Sequence, residues 1–200
     1  MNKSKLNLSL VVGLGNDSEK YSETRHNVGF WFVDALAKHQ NFNWKKDVNV
    51  NGYISGDKYH LLKPSTMMNN SGLSVSQRFE SPHLHQEKIL VAHDDIDLPC
   101  GTVKLNFGAG HGGHKGVLSI NNALGSKNYW RLRIGVGKTE QKISDYVLEE
   151  CPIDEKEKIE SCIVRVLNSW EYIINGNMDN AIKLIHTGNK KNKNCEGNCL

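Results

Sequence analysis

Apolar residues fall along this chain in two rhythms. Residues 8–14 and 89–92 are near-continuous apolar runs. Such runs suit strands covered on both faces. Elsewhere the spacing is helical: Val28, Phe30, Trp31, Phe32, Val33, Leu36 and Ala37 fit a helix over residues 27–39. Residues 48–55 and 59–63 flank Gly56-Asp57, a hairpin signal. Residues 68–79 predict a helix, with Leu73, Val75 and Phe79 available to the core and Ser81-Pro82 ending it. Residues 103–107 and 130–136 predict further strands. Between them a glycine-rich loop, Gly108-Ala-Gly110-His-Gly112-Gly113-His114, opens a helix over 115–124. A short helix or lid is expected over 144–150. A long amphipathic helix is expected over 154–174, with Asp154 as its N-cap, and a last short helix over 178–186. Residues 189–200 predict a polar, disordered tail.

Strands alternating with helices predict an α/β fold: a single domain over residues 1–188, with a mixed twisted β-sheet and helices on both faces. The 200 residues suit one such domain. No run of about 18 apolar residues occurs, so no membrane helix is expected. The basic start, residues 1–5, precedes an apolar run too short for a signal peptide. Five cysteines make no even framework. Cys100, Cys151 and Cys162 are isolated, and Cys195 and Cys199 sit in the tail without a second ligand pair. Reduced thiols in a cytoplasmic protein follow. A net charge of +3 permits an anionic partner such as RNA without demanding one.

Four polar clusters sit at the ends of these strands: Asn16 with His26 and Asn27; Met68-Asn69-Asn70; His93-Asp94-Asp95; and the glycine loop with His111 and His114. In an open α/β sheet the carboxyl ends of the strands face one crevice. His26 there can accept a proton from water, and Asp94 can fix its tautomer. The competing use of His26 and Asn27 is helix capping, and that of 93–95 a solvated loop. Asn16 and Asn69 can donate amide hydrogen bonds to an oxyanion, or serve as turn and cap residues. No serine or cysteine stands in a nucleophile motif, which leaves water. Histidines 26, 93, 111 and 114 with Asp94 and Asp95 offer metal ligands, but no HExxH spacing is present and no metal is expected. The glycine loop lacks the signature of a mononucleotide site. Arg131 and Arg133 share a strand face and, with Lys104 and Lys138, add positive charge, either for an anion or as a solvated edge.

Together these residues resemble the bacterial peptidyl-tRNA hydrolase family. Tyr21-Ser-Glu-Thr24-Arg25-His26-Asn27-Val-Gly29 matches its Tyr-x-x-Thr-Arg-His-Asn-x-Gly pattern. Val12-Gly13-Leu14-Gly15-Asn16, Lys63-Pro64-Ser65-Thr66-Met67-Met68-Asn69-Asn70-Ser71-Gly72, Leu90-Val91-Ala92-His93-Asp94-Asp95, Gly112-Gly113-His114 and Arg131-Leu132-Arg133-Ile134-Gly135 resemble further blocks in the same order. The resemblance implies hydrolysis of the ester joining a peptide to the 3′-terminal ribose of tRNA. It implies a cytoplasmic monomer with peptidyl-tRNA as its partner, no obligate protein partner, no membrane and no cofactor. By position, His26 is the general base and Asp94 its orienter. Asn16 and Asn69 hold peptide or water and stabilise the oxyanion. Tyr21, Asn27, Met68 and His114 belong to the substrate site, and Arg133 meets tRNA phosphate.

Three departures stand out. Lys115 occupies a family asparagine position that contacts substrate and water; its ammonium can meet the tRNA backbone but cannot accept a hydrogen bond. Asn106 replaces a family lysine, for which Lys104 is the nearest substitute. Asp17 replaces a proline. A non-catalytic RNA-binding protein on the same scaffold is the alternative these departures raise.

Overall fold

The computed structural model describes residues 8–79 and 85–195. Its centre is β1 (Leu10–Gly13), flanked by two parallel neighbours, β4 (His60–Pro64) and β5 (Ile89–Asp95). β7 (Trp130–Gly135) lies parallel to β5. Antiparallel strands close both sides: β3 (Gly52–Ser55) and β2 (Lys45–Asp47) beyond β4, and β6 (Val103–Phe107) beyond β7. The order is β2-β3-β4-β1-β5-β7-β6. The chain leaves β1 towards β4, then crosses to β5 on the other side. The crevice at the carboxyl ends of β1 and β5 is therefore the topological switch point, where open α/β sheets bind ligands.

The period-two alternation of each strand divides the core. Val11, Leu90 and Ala92 face α1 (Val28–His39), α5 (Ile153–Asn168), α6 (Trp170–Ile174) and α7 (Met178–Cys195). Leu10, Val12, Ile89 and Val91 face α2 (Ser71–Phe79) and α3 (Lys115–Leu124). Both faces are dry, which is why these strands read as unbroken apolar runs.

Several expectations need correction. Residues 48–50 form a 3-10 turn rather than strand, because Asp47 accepts from the Asn49 amide at 2.9 Å and Asn51 is left-handed at φ 45°. The short helix or lid expected over 144–150 is a short helix, but ends sooner, as the single turn α4 (Ile143–Tyr146). The helix expected over 154–174 is two. The Ser169 hydroxyl bonds back to the Arg165 and Val166 carbonyls, and the backbone leaves helical geometry there. The break turns Trp170 inward, where its indole donates to the Tyr59 hydroxyl at 2.8 Å. Pro152, not Asp154, precedes that helix, and Asp154 sits in its first turn. The last helix continues past 186 to Cys195, so part of the expected disordered tail is helical; that stretch holds no proline to stop it. Leu73 is 41% exposed while Val75 is buried. The Phe79 side chain, Ser81-Pro82 and Cys199 lie outside what the structure describes, as does the Cys195 side chain.

Candidate active site

The turn between β1 and α1 is pressed onto the sheet. A Cβ at Gly29 would collide with the Leu14 and Ala92 backbone, and one at Gly13 with the Gly29 carbonyl. Only glycine allows α1 to start this close to β1 and β5. The residue between them is locked from below. Buried Arg25 donates from Nε to Glu155 at 2.9 Å and from Nη1 to the Tyr146 carbonyl at 3.2 Å. The His26 amide donates to the Val147 carbonyl at 2.8 Å. The imidazole of His26 is thereby aimed at β5.

Asp94 receives it. The expectation of a strand ending at Ala92 fails: β5 runs through Asp94, which is only 4% exposed. A carboxylate this deep needs partners. Its Oδ1 lies 2.8 Å from His26 Nδ1 and 2.8 Å from His114 Nε2. His114 caps α3, its Nδ1 accepting from the Gly116 and Val117 amides at 3.1 and 3.3 Å. Its proton must then sit on Nε2 and point to Asp94. His26 donates from Nδ1 to the same oxygen, which leaves the lone pair on its Nε2.

Electrostatics agrees with that assignment. Burial opposes ionisation of Asp94, yet His26 and His114 hold its pKa well below the ordinary carboxylate range. Burial likewise disfavours charge on His26, but the Asp94 carboxylate outweighs it and raises the pKa; Lys115 pulls the other way. His93 is different. Burial, with the neighbouring His114, pushes its pKa down to about 3, so it stays neutral. Its Nδ1 is 2.7 Å from the Asp94 carbonyl, and its ring packs on His114 with centroids 5.0 Å apart.

The crevice above this pair is a cleft of about 780 Å³. Asn16, Tyr21, His26, Met68, Asn69, Asp94, His114, Lys115 and Arg133 line it. Asn16 is presented by Asn27: the Asn16 amide donates to Asn27 Oδ1 at 2.8 Å and Asn27 Nδ2 returns to the Asn16 carbonyl at 3.1 Å. Asn27 is thus a buried positioning residue outside the lining, not a wall of the site. Among the described residues, neither side-chain amide of Asn16 or Asn69 is taken up by a hydrogen bond. Both are free to donate into the cleft. Lys104 also lies outside the lining, paired across β6 and β7 with Arg133. Arg133 Nε holds Asp95 at 2.5 Å.

Two functions escaped the sequence reading. The first is the bond from His114 to Asp94, where the sequence had pointed only to the substrate site and a candidate metal ligand. The second belongs to Arg131. It is 2% exposed, and its guanidinium grips the Gly110 and Ala109 carbonyls at 2.5 and 2.7 Å. It fixes the glycine loop, in which Ala109 is held at φ 96°. His26, Asp94 and His114 place three ligand atoms within 4.8 Å of one another. Hydrogen bonds account for this grouping, since the His114 lone pair faces two backbone amides rather than Asp94. A matched base, carboxylate and pair of free amides suits addition of water to an activated carbonyl.

Comparison with known proteins bears on that chemistry. A family model described as peptidyl-tRNA hydrolase matches residues 10–194. A peptidyl-tRNA hydrolase of Delftia acidovorans is 41% identical over 187 residues, 90% of each chain. One from Ruthia magnifica is 40% identical, covering 91% of this chain and 99% of its own. A crystal structure of peptidyl-tRNA hydrolase from Acinetobacter baumannii superposes with a TM-score of 0.88 at 36% identity, over 92% of this chain and 97% of that one.

Proposed function

This chain belongs to the peptidyl-tRNA hydrolase family and hydrolyses the ester between peptide and tRNA; we propose that it does so with a water activated by His26. The observation that carries this reading is the shared Asp94 oxygen, which sets the His26 tautomer so that Nε2 is the base.

In this mechanism the water oxygen attacks the ester carbonyl while His26 Nε2 takes its proton. Asp94 stabilises the imidazolium that results. The carbonyl oxygen becomes an oxyanion, and the Asn16 and Asn69 amides donate to it. Collapse breaks the bond to the ribose oxygen, which leaves with the proton from Nε2. Peptide and tRNA with a free terminal hydroxyl are released. General-base help contributes about 10²–10⁴-fold. An oxyanion donor contributes about 10²–10³-fold. Tyr21 and Met68 pack the ester end, and Arg133 with Lys104 meets phosphates of the RNA. Every group comes from one chain, so a monomer suffices, and it acts in the cytoplasm where peptidyl-tRNA arises.

The test is hydrolysis of N-acetylaminoacyl-tRNA, read as release of the acyl group. His26→Ala loses about 10²–10⁴-fold in turnover and still retards tRNA in a binding assay. A rate near wild type would sink the role of His26.

A further inference from the structure

Among the described residues Lys115 is the only lysine in the lining of the cleft, and it is exposed there at the first residue of α3. The neighbouring charges are accounted for. Asp94 holds His26 and His114, and Asp95 holds Arg133. Arg131 is taken up by loop carbonyls. Asp97, exposed on the turn after β5, forms no ion pair with Lys115. The ammonium therefore stands without a carboxylate partner at salt-bridge distance among the described residues. Its site also opposes it, because a cation at a helix N-terminus meets the positive end of the dipole. Beside it the glycine loop is open: a Cβ at Gly110, Gly112 or Gly113 would meet nothing within 4 Å.

The substrate supplies what this cation lacks. The peptide ester is neutral at the reacting carbonyl. The negative charge nearest to it is the phosphodiester on the 5′ side of the terminal nucleoside, one ribose away. Lys115 lies near enough to His26 for its charge to act on that imidazole, so it sits at the ester end of the cleft. Lys104 lies outside the lining, and Arg133, held by Asp95, is assigned with it to other phosphates of the RNA. We propose that Lys115 binds this terminal phosphodiester and so selects nucleotide esters over phosphate-free esters. The inference rests on the reading of His26 as base, since that fixes where the ester lies.

Two substrates separate the possibilities: an N-acetylaminoacyl ester of adenosine, and the same ester of cytidylyl-(3′→5′)-adenosine, which adds the phosphate. For the wild type, kcat/KM is higher for the dinucleotide ester. In Lys115→Asn that advantage falls about tenfold, the size of one charge-assisted contact; in Lys115→Arg most of it returns. With N-acetylaminoacyl-tRNA, the salt dependence of log KM in Lys115→Asn flattens by about 0.7, one phosphate contact on a single strand. This second readout decides the matter if the short esters turn over too slowly. An equal loss on both short esters would place Lys115 on the reacting carbonyl and overturn the proposal, as would an unchanged ratio with an unchanged salt slope. Failure of the His26 reading looks different: Lys115 intact, and His26→Ala as active as wild type. Thermal melting of each variant checks the fold.

Discussion

Two loops bring a histidine to the same carboxylate oxygen, and they do different work. The turn before α1 presents His26; the loop before α3 presents His114. Each lies 2.8 Å from Asp94 Oδ1. What separates them is the second ring nitrogen. In His114 it is taken by the Gly116 and Val117 amides, so the ring is a fixed strut. In His26 it is left to the cleft. The surroundings match: the His26 turn is anchored by buried Arg25 and Asn27, whereas the other loop is gripped from below by Arg131. One carboxylate thus holds both rings, the proposed base His26 and the strut His114, and only His26 has a ring nitrogen free to exchange a proton with substrate.

The largest effect should come from removing what the two share. Asp94→Asn keeps an acceptor but loses the charge that stabilises the His26 imidazolium. Turnover should fall about 10²–10⁴-fold with tRNA affinity kept; a loss confined to KM would break the comparison. His114→Ala should cost less, about tenfold in kcat, and it should also lower stability by about 1 kcal/mol through the lost helix cap. Chemical denaturation of this variant beside His26→Ala measures the contrast. Equal stability losses would deny the strut its separate role. Asn27→Ala should act through Asn16, lowering kcat a few-fold while leaving the pH profile in place.

The smallest effect concerns pH. The His26 pKa is raised above the ordinary histidine value, and in the proposed mechanism its ring acts unprotonated. Plotted against pH, kcat/KM should therefore fall as pH drops through a point above that ordinary value. Lys115 opposes charge on His26, so Lys115→Asn should move this acid limb to higher pH. A shift to lower pH would contradict the electrostatics of the cleft.

Much of this was legible in the residues. The strands of the parallel core announce themselves because both faces are dry, and the four polar clusters lie at the crevice where strand order reverses. His26, Asp94, Asn16 and Asn69 were named from type and position, and the structure brings them to one cleft. What escaped depends on partners distant in the chain. His93-Asp94-Asp95 looks like the end of a strand because buried carboxylates are rare; two histidines, 68 and 20 residues away in sequence, make this one tolerable. Asn27 looks like a lining residue until its amide closes on the backbone of Asn16. The break at Ser169 follows from a hydroxyl bonding to its own helix, which apolar spacing does not register.

The division of labour is tested most directly by nitrogen-15 NMR of the imidazole rings, above the pH at which His26 titrates. His26 should carry its proton on Nδ1, with an unprotonated Nε2, and His114 should carry its proton on Nε2. A neutral His26 protonated on Nε2 would leave no base facing the ester and would contradict the account.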